Sequence, residues 1–123
     1  MTQEIQDRNE QIALMLGYVN TTPTDKDFNI FKSHIKIGVI PNMIETMSMK
    51  FHSDWNWLME AVEFINKTHK NNNPYRDLHY TMGYLLHGGW WGETKVPERL
   101  LSDKTELFLA VSDFAKLYND KKL

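Results

Sequence analysis

The chain has 123 residues, 41% hydrophobic and 24% charged, with a formal net charge of −2 at neutral pH and no cysteine. A chain of this length closes one core by burying roughly two thirds of its unfolded surface, without help from a disulfide or metal. The absence of Cys excludes a disulfide scaffold, thiolate zinc sites, iron–sulfur clusters and a cysteine nucleophile. The small net charge, with no run of Lys or Arg, argues against binding duplex DNA by phosphate neutralisation.

Met1 to Leu16 is polar and lacks the apolar stretch of a signal peptide. No apolar run approaches the ~18 residues of a membrane span. A single cytoplasmic domain over residues 1–123 is therefore expected, with no membrane partner. The Asn20 and Asn66 sequons read as chance matches without a secretion signal.

Thr2 to Leu16 is predicted to be a helix. Ile5, Ile12 and Leu16 share one stripe with Met15 beside it, and Gly17 is placed to cap the C-terminal end. Asn20 to Asp27 has the Thr, Pro and Asp content of a loop. Phe28 to Ile40 is predicted extended, because Ile35, Ile37 and Val39 alternate with Lys36 and Gly38. Pro41-Asn42 breaks the chain. Alternation resumes from Met43 to Phe51, with Met43, Met47, Met49 and Phe51 on one side; Glu45 interrupts it, which places the strand start near Thr46.

Ser53 is positioned to cap a second helix, with Asp54 complementing its positive end. That helix is expected to reach about Thr68. Trp55, Leu58, Met59, Val62 and Ile65 form its main apolar stripe, and Trp57, Ala61 and Phe64 a second one. Together they exceed what one sheet face requires, so the helix is expected to touch two layers or a partner. His69 to Pro74 reads as a loop. Leu78 to Leu86 alternates as a strand, although Leu78, Met82, Leu85 and Leu86 also align as a helix; Gly83 and the Tyr content favour strand. Gly88-Gly89 turns the chain, and Trp90, Trp91 and Val96 suggest a further short strand. A last helix starts at Ser102 or Asp103, burying Leu107, Ala110, Val111, Phe114 and Tyr118, and ends in a frayed Asp120-Lys121-Lys122 tail. The order predicts an α+β fold: a small, mainly antiparallel sheet with about three packed helices, an α/β sandwich.

Three groups of residues invite a functional reading. His52, Ser53 and Asp54 sit where an extended segment meets a helix N-terminus, a place where amides and the helix dipole can hold an anion such as phosphate. The bland alternative is a cap, a dipole partner and a packed imidazole. Trp90 and Trp91 lie in a Gly-rich stretch. On an extended chain their rings face opposite sides, so one is left to anchor a partner or stack a base. Trp57, Lys95 and Arg99 complete that partner-binding set. The five His residues offer no local metal site, since no HxH, HExxH or His-x3-His pair occurs. His79 and His87 would be about 26 Å apart on an extended chain. The Met set, Met43, Met47, Met49, Met59 and Met82, is expected to pack the core. No GxSxG, GxGxxG or P-loop pattern is present, so no catalytic residue, metal ligand or cofactor is assigned.

The stretch Lys50-Phe51-His52-Ser53-Asp54-Trp55-Asn56-Trp57-Leu58-Met59-Glu60-Ala61-Val62 resembles a group of short, uncharacterised proteins from phages and prophages of Bacteroidetes-type bacteria. Lys104-Thr105-Glu106-Leu107 through Ala110-Val111, Phe114 and Leu117-Tyr118-Asn119 is similar to their final helix, and Asn9 to Tyr18 to their first. In outline the chain also resembles the small α–β–α sandwich domains of phages. Tyr75 to Leu101 departs from the pattern. The resemblance implies a phage-type origin and fold and brings no catalytic residues with it. With small size, surplus aromatics and no catalytic motif, the leading expectation is a non-enzymatic inhibitor of a bacterial defence system, the anti-CRISPR class included. Its partner is then a host protein or ribonucleoprotein. A nucleotide-binding sponge and a metal-dependent hydrolase with dispersed ligands are the alternatives.

Overall fold

The computed structural model describes residues 2–22, 29–70 and 104–122. Helix α1 spans Gln3–Met15. Strands β1 (Val19–Asn20), β2 (Ile30–Lys32) and β3 (Met43–Glu45) form an antiparallel sheet in the order β1-β2-β3. A 3₁₀ turn follows at Thr46–Ser48. Helices α2 (Trp55–Lys70) and α3 (Lys104–Lys122) complete an α+β arrangement with the helices packed on the sheet. The predicted Leu78–Leu86 strand, the Gly88-Gly89 turn and the strand around Trp90 lie outside the described residues.

Helix α1 is closed at both ends by local chemistry. The Thr2 hydroxyl accepts from Ile5 N–H at 3.2 Å, satisfying one of the free donors of the first turn. At the other end Gly17 takes φ +101°, and Gly17 N–H and Tyr18 N–H donate to the carbonyls of Leu14 and Ala13. This paired-bond stop needs a left-handed residue, which Gly supplies without steric cost. The turn delivers Tyr18 into the core, where its hydroxyl donates to the Pro41 carbonyl at 2.6 Å.

The sheet is short and two-faced. Register places Val19, Lys32 and Met43 in one row and Asn20, Phe31 and Ile44 in the next. Directly paired residues point to the same side of a sheet. Phe31 and Ile44 are buried, whereas Val19 and Met43 are 61% and 59% exposed. One row thus feeds the core and the other meets solvent.

The extended reading of Phe28 to Ile40 holds only over Ile30–Lys32. Ser33 ends the strand. Its hydroxyl accepts from Ile35 N–H and donates to Ile35 C=O, a local turn that replaces ladder bonds. Asn42 then donates its side-chain amide to the Ser33 carbonyl. A tight turn closes by an Ile37–Ile40 bridge around Gly38 at φ +49°. Ile35 and Val39 are consequently exposed, while Ile40, off the predicted alternation, is buried. Residues 43–51 do not form one strand either. Glu45 is the last strand residue rather than an interruption at the start. Thr46 N–H still donates to the Asn29 carbonyl, and its hydroxyl donates to Glu10 on α1 as the 3₁₀ turn begins. Of the residues expected on its inner side, Met49 and Phe51 are buried and Met43 and Met47 are exposed, so part of the predicted Met core is surface. The pairing of Val19–Asn20 falls where the sequence suggested the start of a loop.

All three helices run in the same direction. Arg8 of α1 meets Ser112 and Asp113 of α3, and Gln11 meets Asn119 farther along both. Lys104 at the start of α3 reaches the Ser53 carbonyl just before α2, and Phe64 packs edge-on to Tyr118 toward the far ends. Short connections give antiparallel neighbours; here the hairpin of β2 and β3 returns the chain before α2 begins. Ile12, Leu58, Ile65, Leu107, Val111 and Phe114 fill the space between helices. Each is fully or almost fully buried, and burial of such a side chain stabilises by about 1.5–3 kcal/mol. The last helix continues through Lys122 instead of fraying at Asp120.

Candidate binding surfaces

His52, Ser53 and Asp54 are brought to the junction of the three helix starts. Their polar groups are largely engaged within the protein. Asp54, not Ser53, caps α2: its carboxylate accepts from Asn56 N–H at 2.8 Å. It thereby occupies the place where an external anion meets a helix N-terminus. The Ser53 carbonyl takes the Lys104 ammonium at 3.0 Å. Nδ1 of His52 lies 3.0 Å from the Asn9 side-chain amide, and the ring stands edge-on to Phe108. Burial first, then the positive chain terminus and Lys104, hold the His52 pKa below its ordinary value. A recess of about 260 Å³ opens beside it, lined by Ile5, Arg8, His52, Phe108 and Leu109 among others. The cap is Asp54 rather than Ser53, and the imidazole packs on Phe108 rather than on Trp55 or Trp57.

Trp57 is 7% exposed and stands edge-on to Phe51, with ring centroids 5.3 Å apart. It is a core residue whose outer edge borders a groove of about 440 Å³ alongside β3. Its neighbour Trp55, assigned to the main buried stripe, is instead 38% exposed because it opens the first turn of α2. Trp90, Trp91, Lys95 and Arg99 lie outside the described residues. Among the described residues, no three His, Asp or Glu side chains converge as a metal site. No described helix is long and apolar enough to cross a membrane.

The exposed apolar side chains are concentrated elsewhere. Val19 and Met43 flank Lys32 across the outer sheet face, Ile35 and Val39 crown the β2–β3 turn, and Met47 sits on the 3₁₀ turn. Val19 and Met43 share the outer row, whereas Ile35 borders a recess with Leu16, Glu60 and Phe64, and Met47 lies against Gln6 of α1. Single exposed aliphatics are ordinary, and several around one small sheet are a candidate interaction surface. Sequence reading missed this face because alternation from Ile35 to Val39 assigned those residues to the interior. The signal that could have found it is Ser33 followed two residues later by an apolar residue, together with Gly38, which together mark a turn.

No family model, curated protein or solved structure matches the chain.

Proposed function

We propose that this chain is a non-enzymatic binding protein that works by occupying a macromolecular partner. The supporting observation is the set of exposed apolar side chains on and around the sheet: Val19, Ile35, Val39, Met43 and Met47 are each at least half exposed. Exposed apolar area in this amount is retained at a cost in solubility, and a partner that covers it offsets that cost. The resemblance of residues 50–62 and 104–119 to small phage proteins supports a narrower form, in which the partner is a protein or ribonucleoprotein of a bacterial defence system. Trp90 and Trp91 belong to this proposal on sequence grounds, as aromatic anchors.

The test compares the wild-type chain with a Val39→Asp, Met43→Asp double variant as baits in bacterial lysate. Bound proteins are identified by mass spectrometry and bound RNA by sequencing. A partner held by the wild type and lost by the variant, at unchanged thermal stability, is the expected result. The same recoveries from both baits remove the hairpin face as the contact. For the narrower form, expression of the chain is expected to restore plaque formation on a strain protected by a defence system. Protection that stays intact across a panel of such systems counts against the defence target.

A further inference from the structure

We propose that Met43 is a reversible oxidation site: a peroxide converts its thioether to the sulfoxide and turns the outer row of the sheet from apolar to polar. The chemistry belongs to the chain itself. Its effect on binding rests on the binding-protein reading above.

Met43, Met47 and Met49 fall within seven residues and stand in three different surroundings. Met49 is 1% exposed and belongs to the core. Met47 is 50% exposed, yet its Sδ accepts from the Gln6 Nε2 group of α1 at 2.8 Å. Met43 is 59% exposed on the outer row of β3, and its sulfur has no hydrogen-bond donor among the described residues.

Oxidation needs an unshared pair on sulfur and room for the oxidant. The sulfur attacks one oxygen of the peroxide and the O–O bond breaks. The attacked oxygen stays on sulfur and loses its proton; the leaving oxygen gains one. Hydrogen peroxide thus yields the sulfoxide and water, with two electrons passing from sulfur to the peroxide. Around Met49 the core blocks approach. At Met47 the Gln6 amide covers the sulfur and holds one of its pairs, so that contact must break first. Met43 meets neither obstacle. The expected order is Met43, then Met47, then Met49.

The product fits the site as well. Register sets Lys32 directly across from Met43. Side chains paired in this way have Cβ atoms about 5 Å apart and reach one another. Lys32 takes part in no ion pair among the described residues, which leaves its ammonium to the sulfoxide oxygen. That oxygen is a far better acceptor than a thioether sulfur. Met43 joins the ladder through its backbone, so a change at its sulfur alters the surface and leaves the fold in place. Sulfoxide at Met49 would instead put a polar group in the core. Methionine sulfoxide reductases restore the thioether, so the change at Met43 can be undone. Val19 shares the outer row beyond Lys32. A partner held there by apolar contact loses the larger of the two side chains when Met43 is oxidised.

The experiment exposes the full chain to dilute hydrogen peroxide at neutral pH and follows each site by mass spectrometry. Trypsin releases residues 37–50 as one peptide that holds these three methionines and no other, and its fragment ions locate the added oxygen. Met43 is expected to oxidise about threefold or more faster than Met47, the rate equivalent of a weak hydrogen bond. Met49 is expected to react only in denaturant. Gln6→Ala is expected to bring Met47 to the Met43 rate and leave Met43 unchanged. Should that variant fail to fold, the wild type in urea gives the same reading, since all three sites are expected to converge on one rate there. The chain oxidised at Met43 alone is expected to melt with the reduced chain, and the reductases with a thiol reductant to remove the oxygen. Met47 or Met49 reacting first, or the native order persisting in urea, overturns the proposal. So does a melting midpoint that falls on oxidation of Met43 alone, or a sulfoxide that the reductases leave in place. As baits in lysate, the oxidised chain is expected to lose a partner that the reduced chain holds, and to regain it after reduction. A partner held equally by both removes the outer row as the contact and leaves Met43 standing as an oxidation site. A lysate that yields no specific partner for either bait counts against the binding-protein reading alone.

Discussion

The side-chain amide of Asn9 and Nδ1 of His52 lie 3.0 Å apart, joining the middle of α1 to the turn that precedes α2. The Asn9 Nδ2 group donates only if Nδ1 is unprotonated, so the contact favours the neutral imidazole. Burial, the chain terminus and Lys104 act in the same direction and lower the His52 pKa from 6.5. The folded protein thus binds fewer protons here than the unfolded chain, and stability rises with pH across the window between the two values. His52 contributes its full share above 6.5 and loses it as pH falls through the lower folded value. Thermal melts between about pH 5 and 7, the range in which His titrates, are expected to show a falling midpoint on acidification. His52→Gln should flatten that slope. An unchanged slope in the variant assigns it to other groups.

Arg8 of α1 fastens the two most extensively packed helices. Its guanidinium donates to Asp113 and to the Ser112 hydroxyl, each at 2.7 Å, and also pairs with Glu4 at 3.3 Å on its own helix. The Arg8 side chain is 24% exposed and that of Asp113 41%. Partial burial lifts the pair above an ordinary surface ion pair, and solvent on the carboxylate limits the gain. Arg8→Ala is expected to destabilise the fold by about 1–2 kcal/mol in urea titration, including the loss of its aliphatic stem. Arg8→Lys should recover only part of this, since an ammonium cannot form the same fork. A double-mutant cycle with Asp113→Asn checks the coupling; zero interaction energy removes the ion pair as the cause.

The helices were legible in the sequence because each carries a long apolar stripe with signals at its ends. Thr2 and Gly17 bracket α1, and Leu107, Ala110, Val111, Phe114 and Tyr118 repeat at helical spacing in α3. The sheet was legible as a class and misread in extent. Its strands are two or three residues long, too short for a period of two to separate them from turns. Side-chain bonds from Ser33, Asn42 and Thr46 decide where the ladder stops, and a hydropathy pattern carries no trace of them. The outer face escaped notice for the same reason: Met43 and Val39 are apolar, so their letters suggested interior. Capping shows a smaller version of this problem. Ser53 and Asp54 are both good caps, and only the backbone path decides that Asp54 does the work.

Gly38 approaches the Glu60 carboxylate so closely that a Cβ at this position would strike it. Its φ of +49° adds a second demand for Gly. Gly38→Ala is therefore expected to cost about 1–3 kcal/mol, mostly from left-handed strain, because the Glu60 carboxylate is the end of a flexible side chain and can move aside. Glu60→Ala removes the obstacle, so the double variant should recover the steric share and keep the strain. Gly17→Ala serves as the reference, with a positive φ and nothing within 4 Å of the added methyl. A Gly38→Ala loss that Glu60→Ala leaves unchanged, measured by urea unfolding, assigns the whole cost to the backbone.

Tyr18 is 2% exposed, and burial pushes its phenol up to about 12. Its hydroxyl proton is held by the Pro41 carbonyl at 2.6 Å, and ionisation would forfeit that bond. In an alkaline absorbance titration one tyrosine is expected to ionise well after an exposed phenol, whose pKa is near 10. Tyr18→Phe should delete that late phase and reduce stability by about 1 kcal/mol, the usual net worth of one such hydrogen bond. A late phase that persists in the variant belongs to another tyrosine.

Phe31 and Met43 are one strand apart, and opposite consequences are expected from truncating them. Phe31 faces the interior at 2% exposure, so Phe31→Ala leaves a cavity and is expected to cost about 3–5 kcal/mol. Met43 is 59% exposed on the outer row, and Met43→Thr should fall within about 0.5 kcal/mol of wild type. The β-branched substitute also suits an edge strand. If the outer row exists for a partner, Met43→Thr and Val19→Thr should lower partner retention while leaving the melting temperature unchanged. Phe31→Ala should lower both together. A melting temperature that falls as far for the outer-row pair as for Phe31→Ala means the row packs against other parts of the chain, and its exposure then offers no surface for binding.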